Sequence, residues 1–261
     1  MRSERPPILF AVLAIVGIAF FVLPLVGLLY RAPWETALND LTTPEALTAL
    51  RLSFVVSLAA TALALLLGIP LAWVYARVPF RGRDIVRALT TLPMILPPVV
   101  GGVALLFAFG RRGLFGQALD TMFGIRLPFT TAGAILAATF VAMPFLVLTV
   151  EAGLRSMDRR YEDAARTLGA SRWLVFRRVT LPLIAPSIFA GAVLCWARAL
   201  GEFGATITFA GNLPGTTQTL PLAVYIALET RPEVAIMLSL VLLAVSLAIL
   251  IALRDRYLRF S

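Results

Sequence analysis

Six apolar runs dominate this chain and restrict it to folds that fit a lipid bilayer. They lie near residues 8–30, 52–76, 88–110, 131–154, 183–209 and 233–253. A helix needs about 20 apolar residues to cross roughly 30 Å of hydrocarbon. Lipid offers no partner to backbone N–H and C=O groups, so each run must satisfy them internally as a helix. The mean hydropathy of +0.91 agrees with this class. We therefore predict an all-α integral membrane protein with six transmembrane helices.

The distribution of basic residues predicts the orientation of these spans. All 23 basic residues are arginine, because the chain contains no lysine. With the N-terminus in the cytoplasm, the inner segments contain Arg2, Arg5, Arg77, Arg81, Arg83, Arg87, Arg155, Arg159, Arg160, Arg166, Arg172, Arg177, Arg178, Arg254, Arg256 and Arg259. The outer segments contain fewer, namely Arg31, Arg51, Arg111, Arg112, Arg126 and Arg231. Because cytoplasmic loops carry the excess of positive charge, we expect a multi-pass protein of the bacterial cytoplasmic membrane with both termini cytoplasmic. The orientation of the spans in the lipid bilayer accounts for the placement of the arginines, so we expect no nucleic-acid partner.

The residue types that are missing exclude several kinds of chemistry. The chain has no histidine and a single cysteine, Cys195, in an apolar run. A disulfide framework or a thiolate metal cluster is therefore excluded. A P-loop requires a lysine to reach the phosphates of ATP, so we expect no cofactor in this chain, and a partner subunit would bind any ATP and magnesium. No connecting segment is long enough for a soluble domain. We therefore expect one transmembrane domain over residues 1–261, with no catalytic residue and no metal site.

A polar segment at residues 158–182 interrupts the apolar pattern and predicts a helix–turn–helix. Within it, residues 162–182 read EDAARTLGASRWLVFRRVTLP. Acidic residues favour a helix start, and Gly169 can end that helix in the left-handed conformation. Ser171 can cap a second short helix, and Pro182 suits the start of the next span. We call residues 158–182 the elbow.

The elbow resembles the coupling loop of the membrane subunits of binding-protein-dependent ABC importers. That pattern is Glu-Ala-Ala, three residues, Gly, nine residues, an aliphatic, one residue and Leu-Pro. The same spacing holds here, except that an aspartate replaces the glutamate. The resemblance implies docking to a cytoplasmic ATPase pair through Glu162, Asp163, Ala164, Ala165, Gly169, Arg172, Leu181 and Pro182. The alternative is a solvated basic loop without a partner.

The third and fifth runs contain residues that a plain membrane helix avoids. The third has Pro97, Pro98 and Gly101, which predict either a kinked packing helix or a pathway helix that bends at a gate. In the fifth, Arg198 and Glu202 are four residues apart and can pair. Ionisable groups within a span usually face the bundle interior or a cavity. Either this pair fixes helix packing, or Arg198 with Thr206 and Thr208 helps an oxyanion to pass.

Two blocks of sequence resemble molybdate importer permeases. They are AARTLGASRW at residues 164–173 and ARALGEFGATITFAGNLPGTTQTLP at residues 197–221. The resemblance implies a type I ABC importer (MetI-like) transmembrane domain. It also implies three kinds of partner, namely the ATPase pair, a second copy of this chain and a periplasmic or extracellular molybdate-binding protein. Sulfate, thiosulfate or tungstate remain alternative substrates. A secondary transporter that uses Glu202 is an alternative mechanism, and a membrane enzyme is disfavoured by the missing histidine.

Overall fold

A computed structural model describes residues 7–257 of the chain, with side-chain environments as far as residue 251. These residues form helices and loops without a strand. In chain order, α1 to α13 are Ile8–Tyr30, Ala37–Leu41, Pro44–Arg77, Arg83–Thr91, Pro98–Phe109, Gly116–Phe123, Thr131–Ser156, Arg160–Thr167, Arg172–Val175, Leu181–Leu200, Gly204–Phe209, Leu220–Thr230 and Pro232–Tyr257. A 3-10 turn lies at Leu92–Met94 and a π turn at Phe176–Thr180. The prediction of an all-α membrane fold is confirmed.

Five helices of the described chain are long and apolar enough to cross a bilayer, and a bent pair of helices would make a sixth span. The long spans begin where the sequence offers helix-start signals. Thr43 accepts a hydrogen bond from the Ala46 amide at 3.3 Å before Pro44 opens α3. Thr130 caps α7 in the same way through the amide of Gly133. Because of its cap, α3 begins at Pro44, earlier than the predicted start near residue 52.

The core of the bundle is formed by α3, α7 and α10. Small residues bring these helices close together, as expected where lipid removes the hydrophobic drive for association. An added Cβ at Gly68 would lie 3.1 Å from Leu146, and one at Gly191 would lie 3.1 Å from the same leucine. Trp196 on α10 also donates to Ser57 on α3 at 3.0 Å. By contrast, no residue of α1 is buried.

The third predicted span, near residues 88–110, is not one straight helix, and its bend lies at the prolines that predicted a kink. The segment Arg83–Met94 and α5 form a pair bent by 118°. Proline explains the break, because Pro93, Pro97 and Pro98 have no N–H to donate to a continuing helix. The amphipathic α4 therefore runs across the direction of α5.

The fifth predicted span is also broken, because α10 ends at Leu200 and α11 starts only at Gly204. The predicted outer segment Asn212–Pro232 contains α12, which packs on α3 and α13. A hydrogen bond joins α12 to α3, since the Leu220 amide donates to Ser53 Oγ at 2.6 Å. Of the arginines used to predict topology, Arg2, Arg5 and Arg259 lie outside the described residues.

Candidate functional site

The elbow has the local geometry that its sequence predicts. After α8, Gly169 has a φ of 81°, the left-handed conformation that favours glycine. Ser171 then accepts a hydrogen bond from the Leu174 amide at 3.3 Å and so caps α9. The π turn leads directly into α10, with Pro182 in its first turn. The helix–turn–helix is thus confirmed as a structure, and its contact with an ATPase stays a prediction.

Glu162 points into the protein and fastens the elbow to two spans. Its residue is 4% exposed, and its carboxylate accepts a 2.7 Å hydrogen bond from Thr180 Oγ1 at the start of α10. Arg77 at the end of α3 donates from Nη2 to Glu162 Oε1 at 3.4 Å. Its Nε lies 3.3 Å from Oε2, an ion-pair distance without good hydrogen-bond geometry. Glu162 was among the predicted docking residues, but in this structure its carboxylate faces the interior of the protein.

The outer surface of the elbow combines polar and large apolar side chains. Among the predicted docking residues, Asp163, Ala164, Gly169, Arg172 and Pro182 are exposed, and Ala165 and Leu181 are half-buried. Leu168 is 88% exposed and Trp173 is 69% exposed. The Trp173 ring stacks on Phe176 with 5.7 Å between centroids. Apolar side chains exposed on a polar segment are typical of a protein–protein contact. Leu168 and Trp173 were not among the predicted docking residues, although apolar residues in a polar segment were a signal.

A second buried carboxylate lies near the same end of the bundle. Glu151 on α7 is 1% exposed and accepts hydrogen bonds from Arg155 Nε at 2.9 Å and from Arg87 Nε at 3.0 Å. Arg87 belongs to α4, which is also tied to α3, because Tyr75 and Thr90 share a 2.6 Å hydroxyl bond. This cluster was not predicted from the sequence. The spacing of Glu151 and Arg155 was a signal, but Arg87 is 64 residues away in the chain.

The residues proposed for the pathway fall into an exposed and a packed group. Pro97 and Pro98 are exposed, whereas Gly101 is buried against Phe140, where an added Cβ would lie at 3.2 Å. A Cβ on Gly102 would meet Thr208 Cβ at 2.6 Å. Thus α5 touches α11 so closely that only glycine fits at this point.

The Arg198–Glu202 pair forms as predicted and also joins two helices. Arg198 Nη2 lies 2.8 Å from Glu202 Oε2, although the pair lacks good hydrogen-bond geometry at that oxygen. Glu202 Oε1 accepts a 2.7 Å hydrogen bond from the Ala205 amide in the first turn of α11. Glu202 is 2% exposed, while the Arg198 side chain is 28% exposed. This geometry favours the packing interpretation for Glu202 and leaves Arg198 partly accessible.

Of the two threonines of α11, one is buried and the other uses its hydroxyl hydrogen within the helix. Thr206 is 1% exposed. Thr208 donates within the helix, to the Gly204 carbonyl at 2.8 Å. Among the three side chains suggested for anion passage, Arg198 is the charged one, and its side chain is partly accessible.

Comparison with known proteins gives a consistent family. Residues 64–260 match the family described as "Binding-protein-dependent transport system inner membrane component". The chain is 47% identical over 245 residues to the molybdenum transport system permease protein ModB of Mycobacterium bovis, covering 93% of this chain and 92% of the relative. It is also 47% identical over 190 residues to ModB of Escherichia coli K12, covering 73% of this chain and 82% of the relative. The sulfate transport system permease protein CysT of Salmonella typhimurium is 35% identical over 244 residues, covering 92% and 88%.

Solved structures support the fold independently of the sequence. A bacterial ABC transporter for the import of alginate superposes with a TM-score of 0.74 at 20% identity, covering 97% of this chain and 96% of that chain. The MetNI methionine ABC transporter superposes with a TM-score of 0.57 at 20% identity, covering 90% and 97%. At this identity, the likeness concerns the fold alone.

Proposed function

Since this chain belongs to the family of binding-protein-dependent transport system inner membrane components, we propose that it is the membrane-spanning subunit of an ATP-driven ABC importer for molybdate. The observation that carries the substrate is the 47% identity, over 93% of the chain, to a molybdenum transport permease. The chain contributes the passage and makes or breaks no covalent bond.

The elbow is the surface through which we propose that the ATPase pair acts. It presents Leu168 and Trp173 beside exposed charge, while its inner side is fixed by Glu162. ATP and magnesium belong to the partner subunits, because a chain without lysine has no ordinary P-loop. The arginine-rich elbow faces the cytoplasm in this proposal, and so do both termini.

Two further partners complete the proposed importer. A second copy of the chain supplies the other half of the passage. A periplasmic or extracellular molybdate-binding protein delivers the anion, because no segment of this chain is long enough to form a capture domain of its own.

The contacts within the elbow suggest how force reaches the spans. When the ATPase pair closes around ATP, each elbow is displaced together with α8. Glu162 links α8 to Arg77 on α3 and to Thr180 before α10, so both spans move with it. Both partners of the ion pair are buried, with side chains 8% and 6% exposed. A buried pair is costly to break on either side, which suits a contact that transmits force in every cycle.

Reconstitution tests this proposal directly. The chain, its ATPase subunit and its binding protein are placed in vesicles with ATP on the elbow side. We expect molybdate uptake that requires all three proteins and hydrolysable ATP. Uptake by the chain alone under an ion gradient would instead support secondary transport.

A second candidate substrate is sulfate, which the 35% identity to a sulfate permease favours. Both anions are tetrahedral and doubly charged, so they are compared in the same vesicles. Uptake is measured once with a molybdate-binding protein and once with a sulfate-binding protein. ATP-driven sulfate uptake that exceeds molybdate uptake would establish the sulfate alternative.

A further inference from the structure

The two buried carboxylates near the elbow differ in how many arginines hold them. Among the residues that the structure describes, one arginine pairs with Glu162, and this residue, Arg77, is itself buried. Glu151 has two arginines, one from its own helix and one from α4. Arg155 and Glu151 are four residues apart on α7 and lie 2.7 Å apart, so they stay together wherever α7 moves.

This difference decides which contact can open. If α4 separated from α7, Glu151 would keep Arg155 and would not be left as an unpaired buried charge, which is the expensive outcome. Arg87 would also tolerate release, because its side chain is already 39% exposed and can be hydrated. If Glu162 separated from Arg77, no second arginine among the described residues would remain paired with Glu162. Arg77, whose side chain is 8% exposed, would also be left buried without a counter-charge.

The contact between Arg87 and Glu151 holds α4, and α4 leads directly to the break in the third span. From α4 the chain passes through Leu92–Met94 to Pro97 and Pro98, and then into α5. At its first residue α5 is packed tightly against α11, because an added Cβ on Gly204 would lie 2.8 Å from Pro98. A change in the position of α4 is therefore taken up at residues 95–97. Ile95 in this stretch is 86% exposed.

We propose that Arg87 and Glu151 form a releasable positioning contact, which couples movement of α7 at the elbow to the bend between α4 and α5. This inference rests on the proposed function. In one state Arg87 binds Glu151 and α4 is held against α7, as in the present structure. In the other state Glu151 keeps Arg155, Arg87 is solvated, and α4 changes its angle to α5. Arg87 is the releasable partner, and Glu151 is the point that both arginines share.

The test uses the complete importer in vesicles, with Arg87→Gln as the variant. Arg83→Gln is the matched control, because Arg83 lies on the same helix and pairs with Asp84, whose side chain is 89% exposed, at 3.8 Å. The first readout is molybdate delivered per ATP hydrolysed. We expect this ratio to fall on the order of three- to tenfold in Arg87→Gln, with ATP hydrolysis retained, and to be unchanged in Arg83→Gln. Arg87→Lys, which keeps the charge, should recover most of the ratio.

A second readout follows the bend itself. Cys195 is the chain's single cysteine, so Cys195→Ala with Ile95→Cys gives one thiol at the break. We expect its rate of alkylation to depend on ATP in the parent and to lose that dependence when Arg87→Gln is added. The combined Arg87→Gln and Glu151→Gln changes should lower the ratio no further than Glu151→Gln alone, because Glu151→Gln already removes the contact with Arg87.

Two results would overturn the inference. One is an unchanged ratio with ATP-dependent alkylation preserved in Arg87→Gln. The other is an equal loss of hydrolysis, uptake and assembled transporter, which is the signature of a contact that only stabilises the fold. Failure of the proposed function is distinguishable from both, because the unmodified importer would then show no ATP-driven molybdate uptake.

Discussion

The hydroxyl of Thr180, the last residue before α10, donates a 2.7 Å hydrogen bond to the carboxylate of Glu162 in α8. The two residues are 18 positions apart in the chain, and their buried hydrogen bond closes the elbow into a loop. Arg77 from α3 approaches the same carboxylate. Glu162 therefore attaches the elbow to α3 and to the start of α10. A force applied to the surface of the elbow would be transmitted to these helices through Glu162.

The first prediction concerns the attachment of the elbow through Glu162. Glu162→Ala leaves Arg77 buried without its counter-charge, a change that costs about 3–5 kcal/mol. We expect a lower thermal unfolding midpoint and weaker molybdate uptake. Asp163→Ala is the matched control, because its side chain is 67% exposed, and it should leave the midpoint within the error of the measurement. Equal midpoints for both variants would show that Glu162 does not anchor the elbow.

The second prediction concerns the turn of the elbow. Gly169→Val forces a side chain into a φ of 81°, although no atom lies within 4 Å of the added Cβ. The cost is backbone strain of about 1–2 kcal/mol, so we expect a displaced α9 and ATP hydrolysis that no longer responds to substrate. Gly27→Val in α1 also meets no atom within 4 Å and has an ordinary φ, which makes it the control. Normal stimulated hydrolysis in Gly169→Val would contradict docking through this turn.

The third prediction separates packing from passage at Arg198. Arg198→Ala leaves Glu202 buried and unpaired, so uptake should fall for either reason. Adding Glu202→Gln removes the orphaned charge and should recover much of the lost stability. If Arg198 guides the anion, the double variant assembles with the ATPase but still takes up molybdate slowly. Recovery of uptake together with stability would assign the pair to packing alone.

The fourth prediction compares two glycines in the break between α10 and α11. An added Cβ at Gly204 would lie 2.8 Å from Pro98, whereas one at Gly201 has its nearest neighbour at 3.7 Å. Gly204→Ala should therefore destabilise the transporter by about 1–3 kcal/mol through overpacking, and Gly201→Ala should have little effect. Unfolding midpoints of the two purified variants measure the difference, and a stable Gly204→Ala would mean that α5 and α11 can separate.

The fifth prediction concerns the segment between α5 and α7. A hydrogen bond from Arg126, with further attraction from Arg111, holds the pKa of Asp120 below its ordinary value of 3.8. A lowered pKa means that the stabilisation is complete above pH 3.8 and is lost as the pH falls through the lower folded value. Asp120→Asn should remove this dependence and speed hydrogen exchange in residues 111–126 at neutral pH. Identical exchange in both proteins would show that the aspartate does not order the segment.

Some of the candidate site follows from local sequence rules. Gly169 and Ser171 act on their own turns, so their roles could be predicted from their positions between polar helices. Arg198 and Glu202 are close in the chain, and their pairing could be predicted from spacing. The break in the third span was harder, because prolines mark where a helix can bend but not by how much. The angle of 118° depends on what α4 and α5 pack against.

By itself the sequence determined the membrane class, the helical character of the spans and the start and turn of the elbow. Those properties depend on apolar length and on capping groups, which act within a few residues. Only the tertiary structure decided that Glu162 faces inward, and that Glu151 receives an arginine from α4. The partners Arg77 and Glu162 are 85 residues apart, and Arg87 and Glu151 are 64 apart. A carboxylate attracts any nearby arginine. The packing of the spans, rather than a local sequence pattern, therefore selects the arginine that pairs with each carboxylate.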